Sequence, residues 1–221
     1  MIPPQANAEF VCALEDVLEV YMRPYDPQHP QVCIDETSKP LVADTRQPIP
    51  AAPGRPRRVD DEYERHGTAN LFMVFEPLAG RRRVKVTERR TAVDFTHLLR
   101  DVVDVHYPQA EPIVLVRDNL NTHKPASLYE AFAPPEARRI LERLEIHYTP
   151  TQGSWLNMAE IDLSVLATQC LNRRIPHPAA LIHEVTAWEQ RRNAINSRVD
   201  WRFTTHDARI KLKRLYPSTQ L

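Results

Sequence analysis

The sequence lacks several features that mark whole classes of protein. No run of about 18 apolar residues occurs, so we expect no membrane-spanning helix and no membrane partner. The opening residues, MIPPQANAEF, contain neither a basic nor an apolar segment, which argues against a secretory signal. The three cysteines, Cys12, Cys33 and Cys170, form no CxxC pair. That spacing argues against a zinc site and is typical of free thiols in a reducing cytoplasm.

The sequence also has no net charge, but its charges are unevenly distributed. Residues 1–50 carry three basic and eight acidic side chains, residues 51–90 carry ten and six, and residues 191–221 carry eight and two. If the two basic segments lie on one face, they would favour a polyanionic partner. With 42% hydrophobic residues in 221, the chain can form a core, so overall disorder is excluded.

The hydrophobic periodicity predicts an α/β protein. Residues 8–22 have the pattern of an amphipathic helix, and prolines follow it up to residue 30. Further along the chain we predict strands at 31–36, 68–76, 82–88, 112–118 and 145–149, and helices at 91–106, 126–132, 134–143, 155–172 and 178–196. Thr91 is a candidate N-cap with Asp94 at the third helical position, and Ser154 is a second candidate N-cap. This order predicts a mixed sheet with helices on its faces.

Three regions follow from this order. We expect an N-terminal helix and connector at 1–30, a core at 31–175, and a C-terminal helix and basic tail at 176–221. Residues 37–66 show no clear periodicity and contain five prolines and the basic patch of Arg55, Arg57 and Arg58. A loop of that length is either functional or disordered.

Two predicted strands each end in an aspartate. Asp35 follows the apolar run Val32–Ile34, and Asp118 follows the predicted strand that starts at residue 112. Acids at the carboxyl ends of parallel strands project from the edge where open α/β sheets bind ligands. If the two strands are neighbours, the two carboxylates converge. The alternative for either residue alone is a polar loop residue that simply ends a strand.

A third acid lies on a predicted helix. Asn157, Glu160 and Ser164 share one narrow polar stripe on a largely apolar helix. Such a stripe either faces solvent or lines a site, because burying it without partners is costly. Asp162 lies about 200° around the helix from Glu160 and is expected to point elsewhere. Three converging carboxylates favour hard cations such as Mg²⁺ or Mn²⁺, and two such ions promote phosphodiester displacement.

The segments around these acids carry a family resemblance. CIDETSK around Asp35, VLVRDNLNTHK around Asp118 and GSWLNMAEIDLSVL around Glu160 resemble the Asp-Asp-Glu transposases of the mariner superfamily, in its bacterial insertion-sequence branch. The resemblance extends over nearly the whole chain and includes the C-terminal segment VDWRFTTHDARIKLKRLYP. It implies a ribonuclease-H-like core with additional N- and C-terminal helices.

The resemblance also implies a function. It predicts metal-dependent cleavage and strand transfer at transposon ends, with Asp35, Asp118 and Glu160 as catalytic residues and as ligands of two Mg²⁺ or Mn²⁺ ions. The supporting residues it predicts are Glu36, Asn119, Asn121, His123 and Asn157. His123 would contact a phosphate or orient a metal-bound water, or would simply be a hydrogen-bonded loop residue. We predict DNA contacts at Arg55, Arg57, Arg58 and Lys124. The expected partners are DNA at transposon ends and target, and a second copy of the chain, in the cytoplasm at the bacterial nucleoid.

One departure from the family pattern leaves alternatives open. Complete members carry an N-terminal helix-turn-helix region, whereas here the first predicted helix begins within ten residues of Met1. We therefore expect a catalytic domain without its targeting module, from a truncated, split or decayed gene. A silent remnant that binds DNA or a full-length partner is the first alternative. A ribonuclease-H-like nuclease that cuts RNA–DNA hybrids or junctions is the second.

Overall fold

The computed structural model describes residues 5–56, 58–119 and 124–217. Its strands form a single five-stranded sheet in the order β3-β2-β1-β4-β5. The strand bounds are β1 Gln31–Asp44, β2 Tyr63–Glu76, β3 Arg81–Thr87, β4 Ile113–Arg117 and β5 Leu144–Tyr148. β2 runs antiparallel to β1 and β3, and β4 runs parallel to β1 and β5. The predicted mixed sheet is confirmed.

Seven α-helices surround this sheet within the described residues. They are α1 Ala8–Tyr21, α2 Ala92–Asp101, α3 Leu128–Ala131, α4 Pro134–Glu142, α5 Met158–Leu166, α6 Pro178–Ala194 and α7 Thr205–Lys211. Helices α2 and α5 each continue into a π-helical turn, at Val102–His106 and Ala167–Leu171. These continuations explain why the sequence pattern predicted single long helices at 91–106 and 155–172. None of the described helices is long and apolar enough to span a membrane.

The helices bury apolar side chains against both faces of the sheet. Successive strand residues point to opposite faces, so Cys33 and Val116 belong to one core cluster and Ile34 to the other. The first cluster, here the α5 core, joins the sheet to α1, α5, α6 and α7. The second cluster, the α2 core, joins it to α2, α3 and α4. Helices on both faces were predicted, and the structure confirms them.

The strand β1 corrects the prediction of a loop over residues 37–66. β1 continues from the predicted end at residue 36 to Asp44, and β2 begins at Tyr63. The region between them is therefore a two-stranded ribbon with a loop at 45–62. The sequence did not predict the extension because Pro40 argues against a strand: proline lacks the N–H that donates a hydrogen bond to the neighbouring strand. Pro40 is accommodated because β4 pairs with β1 only as far as Ile34 and the β1–β2 register shifts between Pro40 and Val42.

The two predicted helix starts have different outcomes. Thr91 is the N-cap of α2, and Thr91 and Asp94 form a reciprocal capping box, as predicted. The prediction of Ser154 as the N-cap of α5 was wrong. This residue begins a 3₁₀ turn, Ser154–Leu156, and Asn157 caps α5 by accepting from the backbone N–H of Ala159 at 3.1 Å. The turn is fixed from outside the helix because the Tyr21 hydroxyl donates to the Leu156 carbonyl at 2.6 Å.

Candidate active site

The first two acids lie side by side at one level of the sheet. β1 and β4 are parallel neighbours, and Ile34 pairs with Arg117. Asp35 and Asp118 are the next residues of their chains, so they occupy equivalent positions at this edge. Asp35 lies two residues beyond Cys33 on the same strand and therefore faces the α5 core. The two aspartates therefore converge as predicted, although β1 does not end at Asp35 but continues to Asp44.

Helix α5 brings Glu160 toward the same edge through a buried amide. The Asn157 side chain, which is 1% exposed, donates its Nδ2 hydrogen to the Ile34 carbonyl at 3.0 Å. Its Oδ1 simultaneously caps α5. One side chain therefore links the residue before Asp35 to the first turn of the helix that carries Glu160. This geometry gives Asn157 a positioning role in addition to its predicted place on the polar stripe.

A cavity of about 830 Å³ opens between β1 and α5. Its lining contains five of the predicted site residues: Asp35, Glu36, Asp118, Asn157 and Glu160. Ser164 also lines it, so the stripe predicted on the helix faces the cavity. The lining continues along α5 and its π-helical extension to Thr168, Leu171 and Asn172. The site is therefore an elongated groove with carboxylates at one end and mostly small, neutral side chains at the other.

Burial and like charge perturb the carboxyl group of Asp35. Desolvation, together with the charges of Asp118, Glu36 and Glu160, raises the pKa of Asp35 from 3.8 to about 7, against a hydrogen bond from the backbone N–H of Glu36 that lowers it. A bound cation would offset both the desolvation and the repulsion. A carboxyl of this kind is typical of functional sites.

A buried arginine lies behind the two strands. Arg117 is 2% exposed, donates to the Tyr148 hydroxyl at 3.1 Å, and stacks within 4.7 Å of the Tyr148 ring centroid. Burial lowers its pKa, while the charges of Tyr148, Asp118 and Glu36 oppose that shift. The strand ending at Asp118 was predicted as apolar, and Arg117 corrects that prediction. Its charge compensates part of the acidic cluster from the opposite face of the sheet.

The oxygen-rich lining suits a hard cation. Glu160 Oε2 is buried without a hydrogen-bond partner among the described residues, a state that a cation would relieve. Among those residues, no three His, Cys, Asp or Glu side chains are gathered tightly enough around one point to hold an ion as they stand. The donor chemistry of the lining therefore fits Mg²⁺ or Mn²⁺.

Several other predicted site residues lie elsewhere. Asn119 is exposed and lines a separate cavity of about 140 Å³ beside α1 and the end of β5, not the carboxylate groove. Arg55, Arg58 and Lys124 are exposed and are not part of the groove lining. Arg57, Asn121 and His123 lie outside the described residues. Among the described residues, the groove therefore unites the acids and Asn157 but not Arg55, Arg58 or Lys124.

Asp162 behaves as its place on the helix predicts. It points away from the groove and receives the Nε hydrogen of Arg82 at 2.7 Å, with both side chains at most 4% exposed. The Arg82 guanidinium also donates to the carbonyls of Gly80 and Ser197. This buried ion pair anchors the outer side of α5 to β3 and the C-terminal segment.

Two basic side chains of the described groove lining were not predicted as site residues, Lys39 and Arg90. Lys39 lay in the region taken as a loop, and Arg90 lies in a basic run next to a helix cap, where exposed charge is ordinary. Arg117 did have a signal, since an arginine within a buried apolar strand needs a nearby negative charge.

Comparison with known proteins identifies the family. The sequence model of the DDE superfamily endonucleases matches residues 30–182, which contain all three acids. The chain belongs to this family. Among curated proteins, none gives a significant match.

Solved structures similar to this DDE endonuclease include three complexes of Mos1. The mariner Mos1 paired end complex with Mg matches at a TM-score of 0.62 and 16% identity, over 99% of this chain and 66% of that one. The Mos1 mariner paired end complex with Mn matches at a TM-score of 0.56 and 15% identity, over 89% of this chain and 62% of that one. The Mos1 transposase paired-end complex with left transposon end matches at a TM-score of 0.55 and 15% identity, over 86% of this chain and 57% of that one. This likeness confirms the ribonuclease-H-like fold, and the chain spans less than two thirds of each Mos1 chain.

Proposed function

We propose that this DDE endonuclease is the catalytic domain of a cut-and-paste DNA transposase of the bacterial insertion-sequence branch. The observation that carries the proposal is the meeting of Asp35, Asp118 and Glu160, from β1, β4 and α5, in the lining of one groove. The likeness to the Mos1 transposase paired-end complex with left transposon end supports it. The reaction would be DNA strand cleavage followed by strand transfer.

The acids would hold two Mg²⁺ or Mn²⁺ ions. When bound, such ions activate an attacking oxygen and stabilise the leaving oxygen of a phosphodiester. The protein's own contribution is placement: β1 and β4 set the two aspartates at one level, and Asn157 fixes α5 against the end of the buried part of β1. Arg117 would compensate part of the negative charge from the other face of the sheet, while Glu36 lines the groove and adds to that charge. Asn119, Asn121 and His123 stay as predicted supporting residues.

The partners would be DNA at the transposon ends and target, and a second copy of the chain. Arg55, Arg57, Arg58 and Lys124 are proposed to contact DNA outside the groove. Such contacts would add salt-sensitive affinity without sequence preference. We place the activity at the nucleoid of the bacterial cytoplasm.

Nicking of supercoiled plasmid with Mn²⁺ at low salt tests the proposal. We expect nicking by the unaltered chain and its loss in Asp35→Asn, Asp118→Asn and Glu160→Gln. The matched control is Asp200→Asn, because Asp200 is also an acid but its side chain is 75% exposed and lies outside the groove lining. Thermal unfolding of each variant verifies that it is folded. Stabilisation by Mn²⁺ that disappears in the three acid variants is a second readout.

Three results would contradict the proposal. Nicking that survives Asp118→Asn would place the chemistry elsewhere. Absence of nicking by folded protein, together with salt-sensitive DNA binding, would favour the silent remnant. Cleavage of an RNA–DNA hybrid in preference to duplex DNA would favour the alternative nuclease.

A further inference from the structure

The groove lining contains one basic side chain that has no partner among the described residues. Of its two basic lining residues, Lys39 donates its ammonium hydrogens to the carbonyls of Leu171 at 2.7 Å and Arg173 at 3.1 Å. Arg90 is exposed, and across the described residues it makes no hydrogen bond and no ion pair. Its guanidinium is therefore available to a ligand, whereas the charge of Lys39 is committed to the protein.

The backbone around Arg90 is held at the groove by a chain of contacts. Thr87 pairs with Asn70 across β3–β2, and Asn70 pairs with Ser38 across β2–β1. The Ser38 hydroxyl donates to Asn70 Oδ1 at 2.7 Å, and Asn70 Nδ2 donates to the Glu88 carbonyl at 3.0 Å. On the other side, Thr91 is fixed as the N-cap of α2. The position of Arg90 at the groove therefore follows from the sheet and is not an accident of a loose loop.

The rest of the lining indicates what kind of ligand the groove accepts. Beyond the carboxylates it consists mostly of small or neutral polar residues: Thr37, Ser38, Ser154, Ser164, Ala167, Thr168 and Asn172. No aromatic side chain lines it within the described part of the chain, so no base-stacking platform is present. A nucleic acid lying here would be bound through its sugar–phosphate backbone, which carries no sequence information.

We propose that Arg90 binds a backbone phosphate of the DNA strand that lies against the carboxylates. The inference rests on the proposed function and names a residue that holds its substrate. A planar guanidinium pairs bidentately with phosphate oxygens, and its charge offsets repulsion between the phosphates and the acids. The contact does not depend on the DNA sequence, and it increases by one the number of phosphate charges that the protein neutralises.

Equilibrium binding of a fluorescein-labelled duplex of mixed sequence tests this role. Binding is measured without divalent ions, so that no cleavage occurs, over a KCl series from about 50 to 200 mM. The variants are Arg90→Gln, Arg90→Lys and the control Arg138→Gln, which removes the same charge from α4 at a side chain 65% exposed. Since Arg90 makes no hydrogen bond within the described residues, we expect its two variants to unfold at the temperature of the unaltered chain. Arg138→Gln breaks an exposed pair with Glu142 and should cost at most about 0.5 kcal/mol in the free energy of unfolding.

We expect Arg90→Gln to weaken binding about two- to fivefold at low salt. The slope of log K against log salt should fall in magnitude by about 0.9, which is the loss of one phosphate contact on duplex DNA. Arg90→Lys should retain the slope, and Arg138→Gln should change neither quantity. In plasmid nicking, Arg90→Gln should raise KM, and Arg90→Lys should restore it in part.

The two proposals fail in different ways. If the unaltered chain nicks DNA through its acids but Arg90→Gln keeps the same slope and KM, the role of Arg90 is wrong and the proposed function stands. A slope that falls equally in Arg138→Gln also overturns the role, because the effect would then be one of overall charge. A folded chain that neither nicks nor binds DNA overturns both proposals.

Discussion

The side-chain amide of Asn157 donates a hydrogen bond to the carbonyl of Ile34 at 3.0 Å, and so joins the strand of the first acid to the helix of the third. The same side chain caps that helix. It is almost fully buried, so neither bond competes with water. The separation of Asp35 and Glu160 therefore depends on one residue that carries no charge.

Replacing this amide should cost more than replacing an ordinary helix cap. Asn157→Ala loses the cap and leaves the Ile34 carbonyl without its partner, so we expect a loss of about 2–4 kcal/mol in the free energy of unfolding. Asn157→Ser keeps a capping oxygen and should recover about 1 kcal/mol. Urea denaturation measures both. Asn7→Ala, which removes the cap of α1, is the control at about 1 kcal/mol. An equal cost at Asn7 and Asn157 would contradict this account.

The raised pKa of Asp35 predicts a stability that falls with increasing pH. In the folded chain this carboxyl keeps its proton up to a pKa of about 7, against 3.8 for the ordinary group. Its contribution to stability is complete below pH 3.8 and is lost as the pH rises through about 7. We therefore expect Asp35→Asn to be more stable than the unaltered chain at pH 8 in EDTA, with the advantage fading toward pH 4. Urea denaturation across this window tests it, and an advantage independent of pH would refute it.

The buried ion pair between Arg82 and Asp162 should be far more important than an exposed one. Asp162→Asn leaves a fully buried guanidinium without its counter-charge, so we expect a loss of about 3–5 kcal/mol. The control is Glu142→Gln, which breaks the i,i+4 pair with Arg138 on the surface of α4 and should cost at most about 0.5 kcal/mol. Chemical denaturation of both variants gives the comparison. Similar losses would show that the pair is not the anchor of α5.

Two separate factors exclude a side chain at Gly80: the backbone conformation and the space around it. Its φ of +65° strains any L residue, and an added Cβ would lie 2.7 Å from Asn196 Oδ1 and 2.9 Å from the Asn196 carbonyl carbon. Gly54 has a similar φ of +74° but nothing within 4 Å. We expect Gly54→Ala to lower the free energy of unfolding by about 1 kcal/mol and Gly80→Ala to lower it by more than about 2 kcal/mol. Thermal unfolding separates them, and equal costs would exclude a steric contribution at Gly80.

The sequence predicted those parts of the fold that have a strong local pattern. The apolar runs before Asp35 and Asp118 predicted two buried strands that end in acids, and helical spacing placed Glu160 and Asp162 on opposite sides of α5. Pairing between β1 and β4 cannot be read from either segment alone, so the convergence of the two aspartates was predicted only on the condition that their strands are neighbours. The chemistry of the site was therefore visible before its geometry was known.

The parts that the sequence did not predict depend on distant contacts. The extension of β1 beyond Glu36 requires β2 as a partner, and Pro40 argues locally against it. Asn157 caps α5 in place of Ser154 because the Tyr21 hydroxyl holds the preceding turn from another helix. Arg90 becomes part of the site only through the pairing of three strands. Local propensity cannot contain information of this kind.

The β1 strand leaves β4 after Ile34 but stays paired with β2 as far as Asp44. Asp35 therefore lies where the sheet divides like a fork, with the β1–β2 ribbon on one side and the β4–β5 pair on the other. A fork is open at its side, so a long polymer can be laid into it without a free end. A closed tunnel would instead require threading from a terminus. For an enzyme proposed to cut DNA within a continuous molecule, this side entry removes the need for an end that the substrate does not have.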